Sequence, residues 1–167
     1  MIRPATPADT AGIVGVAVGS GLFPPEEVGL VEELVTGPAG DAVCLVDDGG
    51  HDDGGDGDGG DQSDGGGVRA VAWAEPVRGT DGTWELTMIA VDRAAQGTGR
   101  GSALLREVER RVRERGARLL LVLTSGTPEL AGARAFYAAR GYGEEARVRD
   151  YYAPGDDMVL FRRALAA

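Results

Sequence analysis

Trp84-Glu85-Leu86-Thr87-Met88-Ile89-Ala90-Val91-Asp92-Arg93-Ala94-Ala95-Gln96-Gly97-Thr98-Gly99-Arg100-Gly101 is the stretch that decides how this 167-residue chain is read. An alternating strand runs into a glycine-spaced turn, and the turn opens a helix. Strand alternation puts Glu85, Thr87 and Ile89 on one face, opposite Trp84, Leu86 and Met88. Gly97, Gly99 and Gly101 let main-chain N–H groups approach a ligand without a Cβ in the way. With the positive end of the following helix, they suit a phosphate or diphosphate. The competing reading is a plain tight turn in a chain that holds 28 glycines. Two other phosphate loops fail on the residues. A Walker A loop requires Gly-Lys-Ser/Thr, and the chain has no lysine. A Rossmann fingerprint needs glycine where Ser102 stands, and an acid about twenty residues further on that is missing here.

Working outward, the helix is predicted from about Gly99 to Arg115, ended by Gly116 at the position after the C-cap. Leu104, Leu105, Val108 and Val112 form its apolar stripe, with Glu107/Arg111 and Glu109/Arg113 as i,i+4 pairs on the wet side. Arg118–Thr124 holds the run LLLVL, expected of a central strand buried on both faces. A further helix covers roughly Glu129–Arg140. Tyr142–Tyr152 and Met158–Arg163 read as a hairpin turning at Ala153-Pro154-Gly155-Asp156. Upstream, Met1–Ala5 reads as a short strand. Thr6-Pro7-Ala8-Asp9 carries a helix-start signature, and that helix runs to about Ser20. A second helix is predicted over about Pro25–Val35, and strands over Ala42–Val46 and Val68–Ala74.

Between those two strands lies Asp47–Gly67, with ten glycines, eight aspartates and no apolar side chain. Such a tract cannot offset the entropy of ordering its backbone, so a flexible loop insert at 47–67 is expected. Its residues fail the EF-hand pattern: counting from Asp56, position five is Gly60 and position twelve is Gly67. The net charge of −10 is mostly this tract; with its eight aspartates set aside, the balance is −2. That near-neutral remainder argues against nucleic acid as a partner. All 17 basic residues are Arg. Cys44 and His51 are the only residues of their kinds, so Cys-based zinc cages, His-centred triads and HExxH sites are excluded. No metal is expected. The longest apolar run, Leu119–Leu123, is far short of a membrane span, and the first residues lack a signal-peptide pattern; a cytoplasmic protein is expected.

The spacing Gln96-x-x-Gly99-x-Gly101 after Ile89-Ala90-Val91 resembles the acetyl-CoA motif of the GNAT family of N-acetyltransferases, Gln/Arg-x-x-Gly-x-Gly/Ala. Ala135-Phe136-Tyr137-Ala138-Ala139-Arg140-Gly141-Tyr142 is similar to the family's second signature, a Phe-Tyr helix ending in Gly-Phe or Gly-Tyr. The order of elements also resembles that family's topology, over nearly the whole chain apart from the Asp/Gly tract. The resemblance implies a single α/β domain, 1–167, with a mixed, mostly antiparallel sheet flanked by helices. It implies acetyl-CoA as co-substrate, with Ile89, Ala90 and Val91 pairing with the pantetheine arm. The N–H groups of Gln96, Gly97, Thr98, Gly99, Arg100 and Gly101 would hold the diphosphate. Tyr137 matches the family tyrosine that protonates the departing thiolate.

The chemistry of the residues runs alongside. A phenol with pKa near 10 is matched to a thiolate of similar basicity. Core packing is the other role open to Tyr137. Glu85, on the strand beside the thioester, is the candidate base for the attacking amine, through a bridging water; an ordinary solvated strand charge is equally open. Some relatives carry an acid at the end of the next strand, where this chain has Leu123 and Thr124. Asp150 and Tyr152 are candidates for drawing in a cationic amine, against a plain hairpin role. Trp73 and Trp84 read as core or cleft wall, and Cys44 as a buried strand residue. The expected activity is N-acetylation of a primary amine, on a small molecule or peptide, by direct attack in a ternary complex. The alternative is a non-catalytic acyl-CoA-binding sensor or partner module. The resemblance is compatible with a homodimer, and the Asp-rich tract with docking of a basic partner.

Overall fold

Thr6, Pro7 and Asp9 start a helical segment where the sequence predicts one, but the first turn is 3-10. In the computed structural model, which describes residues 1–21, 29, 31–32, 40–49 and 67–165, Pro7–Asp9 form that turn and helix α1 follows over Thr10–Gly19. Strand β1, Ile2–Pro4, precedes it. The Asp9 carboxylate accepts from the Thr6 N–H and the Thr6 hydroxyl, both at 2.8 Å, and from the Arg3 guanidinium at 2.7 and 2.8 Å.

The remaining elements are β2 (Val43–Asp47), β3 (Ala70–Pro76), β4 (Thr83–Val91), α2 (Arg100–Glu114), β5 (Leu119–Ser125), α3 (Ala131–Ala138), β6 (Gly143–Ala153) and β7 (Asp156–Ala164). They form one seven-stranded sheet in the order β1-β2-β3-β4-β5-β7-β6. β1 and β2, β5 and β7, and β6 and β7 pair antiparallel, while β4 and β5 pair parallel. A parallel pair needs a long crossover, and α2 is that crossover. The fold is therefore the mixed, helix-flanked sheet the sequence implies. Among the described residues, no helix is long and apolar enough to cross a membrane.

The chain divides into two compact units. The first comprises Met1–Trp73 and Met88–Glu107. Its core joins Ile13, Val16 and Ala17 of α1 to Val46, Val71, Trp73, Met88 and Ala90 of the strands. The second comprises Ala74–Thr87 and Val108–Ala167. There the parallel ladder begins at a close approach before β4. A Cβ on Gly82 would lie 2.7 Å from the Gly116 carbonyl oxygen, while the Gly82 carbonyl accepts from Arg118 N–H at 2.7 Å. Glycine at 82 is demanded by that contact. From it, Thr83, Trp84 and Glu85 face Leu119, Leu120 and Leu121, and the register stops there although β4 has nine residues.

The α2 stripe is as predicted: Leu104, Leu105, Val108 and Val112 are all fully buried. Each such side chain contributes roughly 2 kcal/mol by leaving water. Glu109 is the exception to the wet face. It is 5% exposed, because Tyr142 and Arg163 reach its carboxylate. Arg110 and Glu114 form an i,i+4 ion pair on α2. In β5, Leu120 and Val122 are buried while Leu119, Leu121 and Leu123 are partly so, so one face is closed and the other only half covered. A second 3-10 turn, Pro128–Leu130, leads into α3, which is shorter than predicted.

The hairpin turns at Pro154 and Gly155 as expected. β6 is the outermost strand, exposed along its whole length. Its register against β7 shifts between Glu144 and Ala146 and again between Val148 and Ala153. Asp150 lies in the second shift with φ of 54°, a left-handed conformation.

One expectation needs adjustment. Asp47 does not belong to a loose tract: it is the last residue of β2 and 5% exposed, with Asp48 and Gly49 also placed. Paired charges keep it there, as described below. The rest of the expected insert, 50–66, lies outside the described residues. So does most of the helix predicted over Pro25–Val35, of which residues 29, 31 and 32 are helical and Val31 is buried.

The Arg3 guanidinium, then the Thr6 donors, hold the Asp9 carboxyl well below the usual carboxylate range despite burial. A depressed native pKa stabilises fully above the unfolded value of about 3.9 and is lost as pH falls below it. Asp9→Asn should therefore lower stability at neutral pH by about 2 kcal/mol. In thermal unfolding, the gap from wild type should narrow below about pH 4. A gap that stays constant into stronger acid contradicts this account.

Candidate active site

The turn between β4 and α2 is built by local hydrogen bonds. The Asp92 side chain accepts from the Ala94 N–H at 2.8 Å, starting a short 3-10 turn over Arg93–Ala95. The Gln96 amide nitrogen donates to the Val91 carbonyl at 3.1 Å, which closes the loop onto the end of β4. The Thr98 hydroxyl donates to the Ala95 carbonyl at 2.6 Å. Gly97 and Gly99 have φ of 77° and 87°, and a Cβ at either would meet nothing within 4 Å. Glycine is needed there for backbone conformation, and the space beside it is open. The first bond into the helix runs from Ala103 N–H to the Gly99 carbonyl at 3.0 Å.

One result of this geometry stands out chemically. Among the described residues, the N–H groups of Gly97, Thr98, Gly99, Arg100 and Gly101 make no hydrogen bond. Five consecutive donors at the positive end of a fifteen-residue helix form a receptor for an anion. The Arg100 side chain is committed elsewhere: its guanidinium donates to Asp47 at 2.8 Å. Burial opposes ionisation of Asp47, yet Arg100 and its other partners hold its pKa below the ordinary value. The pattern of the sequence does not single out Asp47; the sole signal is its place at the end of the AVCLV strand.

Ile89, Ala90 and Val91 end β4 in the first unit, and the second unit holds Glu85, Tyr137, Asp150 and Tyr152. Glu85 is half-buried on β4, and the alternation is as read, with Trp84 and Leu86 buried on the opposite face. Burial, then the charge of Glu75, push its carboxyl above the ordinary value. Burial also raises the Tyr152 hydroxyl, followed by the charges of Tyr151, Glu85 and Asp156, so Glu85 and Tyr152 share one electrostatic neighbourhood. Tyr152 is 47% exposed and meets Tyr151 edge-on at 4.9 Å. Asp150 is used differently. Its carboxylate accepts from Gly155 N–H at 2.7 Å and its own N–H donates to Asp157 at 3.0 Å, which braces the hairpin.

Tyr137 sits on α3 and is 6% exposed. Phe136, Tyr142 and Phe161 surround its ring, with centroids 5.3, 5.9 and 5.8 Å away. Burial pushes its pKa above that of an ordinary phenol, so it keeps its proton at neutral pH. Among the described residues no tyrosine hydroxyl is both sealed from solvent and without a partner, so the ring is packed but its oxygen reaches a surface. Glu109 escapes the sequence pattern because it flanks the apolar stripe, one turn on from Leu105. Cys44 offers no nucleophile: burial, then Asp9, push its thiol up to about 12. Among the described residues, no group of three His, Cys, Asp or Glu side chains is placed to hold a metal.

Comparison with known proteins gives the following. Residues 62–142 match the family model described as the Acetyltransferase (GNAT) family. No curated protein matches the sequence. A solved GNAT-family structure from Desulfovibrio desulfuricans, assigned as an acetyltransferase, is 31% identical, with 99% of each chain covered and a TM-score of 0.83. The ribosomal-protein-S18-alanine N-acetyltransferase of Escherichia coli is 20% identical, covering 100% of this chain and 94% of that one, with a TM-score of 0.72. An aminoglycoside 6′-N-acetyltransferase solved with coenzyme A is 13% identical, covering 100% and 98%, with a TM-score of 0.72. These last two attest the fold alone.

The raised Glu85 pKa has a checkable second cause. Glu75→Gln should lower it, followed by NMR titration of the Glu85 side-chain carbonyl carbon, while burial keeps it above a free glutamate. An unchanged midpoint would remove Glu75 from the account.

Proposed function

This chain belongs to the GNAT acetyltransferase family, and we propose that it moves an acetyl group from acetyl-CoA to a primary amine by direct attack in a ternary complex. The family uses acetyl-CoA, and the observation that carries the reading is the row of five uncommitted N–H groups from Gly97 to Gly101. They suit a diphosphate in number, direction and charge. Gly97, Thr98, Gly99, Arg100 and Gly101 hold that group through the main chain, and Ile89, Ala90 and Val91 pair with the pantetheine arm. Gln96, expected among the main-chain donors, instead gives its N–H to the Arg93 carbonyl at 3.4 Å and shapes the turn. Residues 1–167 act as one acetyltransferase domain.

Acetyl-CoA supplies an activated acetyl thioester with a thiolate leaving group. The rest is the work of this chain's residues. Glu85 accepts, through water, the proton that the acceptor nitrogen loses as its bond to the acetyl carbon forms. A carboxyl raised by burial is a better base than a free one. Tyr137 donates its hydroxyl proton to the sulfur as the C–S bond breaks and regains one from solvent. Holding both substrates in place contributes more than either proton transfer. Tyr152, beside Glu85, faces the acceptor, a small-molecule or peptide amine, and Asp150 shapes the hairpin that presents it.

The aromatic packing around Tyr137 favours a second reading, a non-catalytic acyl-CoA-binding module. Tyr137→Phe separates the two. We expect normal coenzyme A binding by calorimetry, with thiol release from acetyl-CoA slowed by about a hundredfold. Wild-type turnover in that variant overturns the assignment of Tyr137. Glu85→Gln should slow turnover by at least about tenfold and remove the acid limb of the pH profile, which lies above the pH expected of a free glutamate. An acid limb that persists in this variant belongs to another group.

A further inference from the structure

Glu109 is a buried carboxylate to which the reaction above gives no task. It lies on α2 within the second unit, 5% exposed, and two donors converge on its Oε1. The Tyr142 hydroxyl donates at 2.8 Å and the Arg163 guanidinium at 3.0 Å. The same Arg163 nitrogen also donates to the Arg140 carbonyl at 2.6 Å, at the end of α3. The guanidinium carbon lies 5.6 Å from the centre of the Tyr142 ring. Three elements far apart in sequence are thus tied to one carboxylate.

The tie leads directly to Tyr137. Its carbonyl accepts from Arg140 N–H at 2.9 Å and from Tyr142 N–H at 3.2 Å. Its ring rests edge-on against the Tyr142 ring at 5.9 Å. The Tyr142 ring is therefore a wall of the socket that orients the Tyr137 phenol, and the bond to Glu109 pins that wall. A phenylalanine would fill the same volume but leave the ring unanchored. Burial, then the Glu109 charge, keep the Tyr142 hydroxyl protonated as a donor. Arg163 balances the carboxylate, so the buried network stays close to neutral and costs less to desolvate.

We propose that Glu109 and Tyr142, braced by Arg163, are positioning residues that hold the Tyr137 hydroxyl where it meets the departing sulfur. This inference rests on the reading of Tyr137 as proton donor. Hydrogen-bonded networks of this kind fix one side-chain arrangement in a core where apolar packing alone tolerates several. A misplacement of about 1 Å at a reacting group costs on the order of a hundredfold in rate.

The test joins a positional readout to a kinetic one. With 13Cζ-labelled tyrosine, each of the four tyrosines is assigned by its own Phe variant. In Tyr142→Phe and in Glu109→Ala, the Tyr137 resonance should shift or split, while in Glu109→Gln, which keeps an oxygen for the Tyr142 hydroxyl, it should stay close to wild type. Thiol release from acetyl-CoA with n-butylamine as acceptor probe is then measured. Tyr142→Phe should lower kcat by roughly tenfold to a hundredfold with KM for acetyl-CoA little changed. In the Tyr137→Phe background it should add almost nothing. A Tyr137 resonance unmoved in Tyr142→Phe and Glu109→Ala overturns the inference, whatever the rates. So does equal slowing by Tyr142→Phe with and without the Tyr137 hydroxyl. Wild-type turnover by Tyr137→Phe is a different result: it removes the proton-donor reading itself.

Discussion

A helix cannot satisfy its own first amides, and the rest of this site depends on where that constraint falls. In α2 it falls on Arg100 and Gly101, and the loop N–H groups of Gly97, Thr98 and Gly99 extend the row back towards the 3-10 turn that follows β4. Two left-handed glycines turn the chain here, and the Gln96 side chain ties the turn to Val91. The Asp47–Arg100 ion pair commits the Arg100 guanidinium to a carboxylate. What remains for a ligand is main chain, rigid and uncharged except for the helix dipole. A row of this kind suits an anion by shape and charge without dependence on any one side chain.

The second unit works by different physics. There the parallel ladder of β4 and β5 runs for three residue pairs from the Gly82 contact and then stops. Glu85 lies at the last of those pairs, half-buried, and its environment favours the protonated form more than water does. The Tyr137 ring packs against three other rings. Uncommitted main-chain donors and side chains of shifted acidity thus belong to two different parts of the chain.

Much of this was legible from sequence because its signals are local. The two-residue period of β4 shows in Trp84, Leu86 and Met88, and the helical period of α2 in Leu104, Leu105, Val108 and Val112. The glycine turn is visible because only glycine takes left-handed φ freely. The remainder was not legible because its causes are distant. Glu109 reads as a surface charge until Tyr142 and Arg163, 33 and 54 residues away, are brought to it. Asp47 reads as the first residue of an acidic tract until Arg100, 53 residues on, pairs with it. The opening 3-10 turns were read as α-helix, since caps and prolines mark where a helix starts but not how tightly its first turn winds.

The outermost strand has a consequence for how the molecule keeps to itself. Any sheet margin is a template onto which a stray extended chain can zip, and an 11-residue exposed margin is a long one. Along β6 the hydrogen-bonding rhythm breaks twice, and at Asp150 the backbone twists into a hand that few neighbours share. An incoming segment would fall out of step within a few residues. Irregularity that looks like imperfect pairing therefore guards the protein against fibrous self-association.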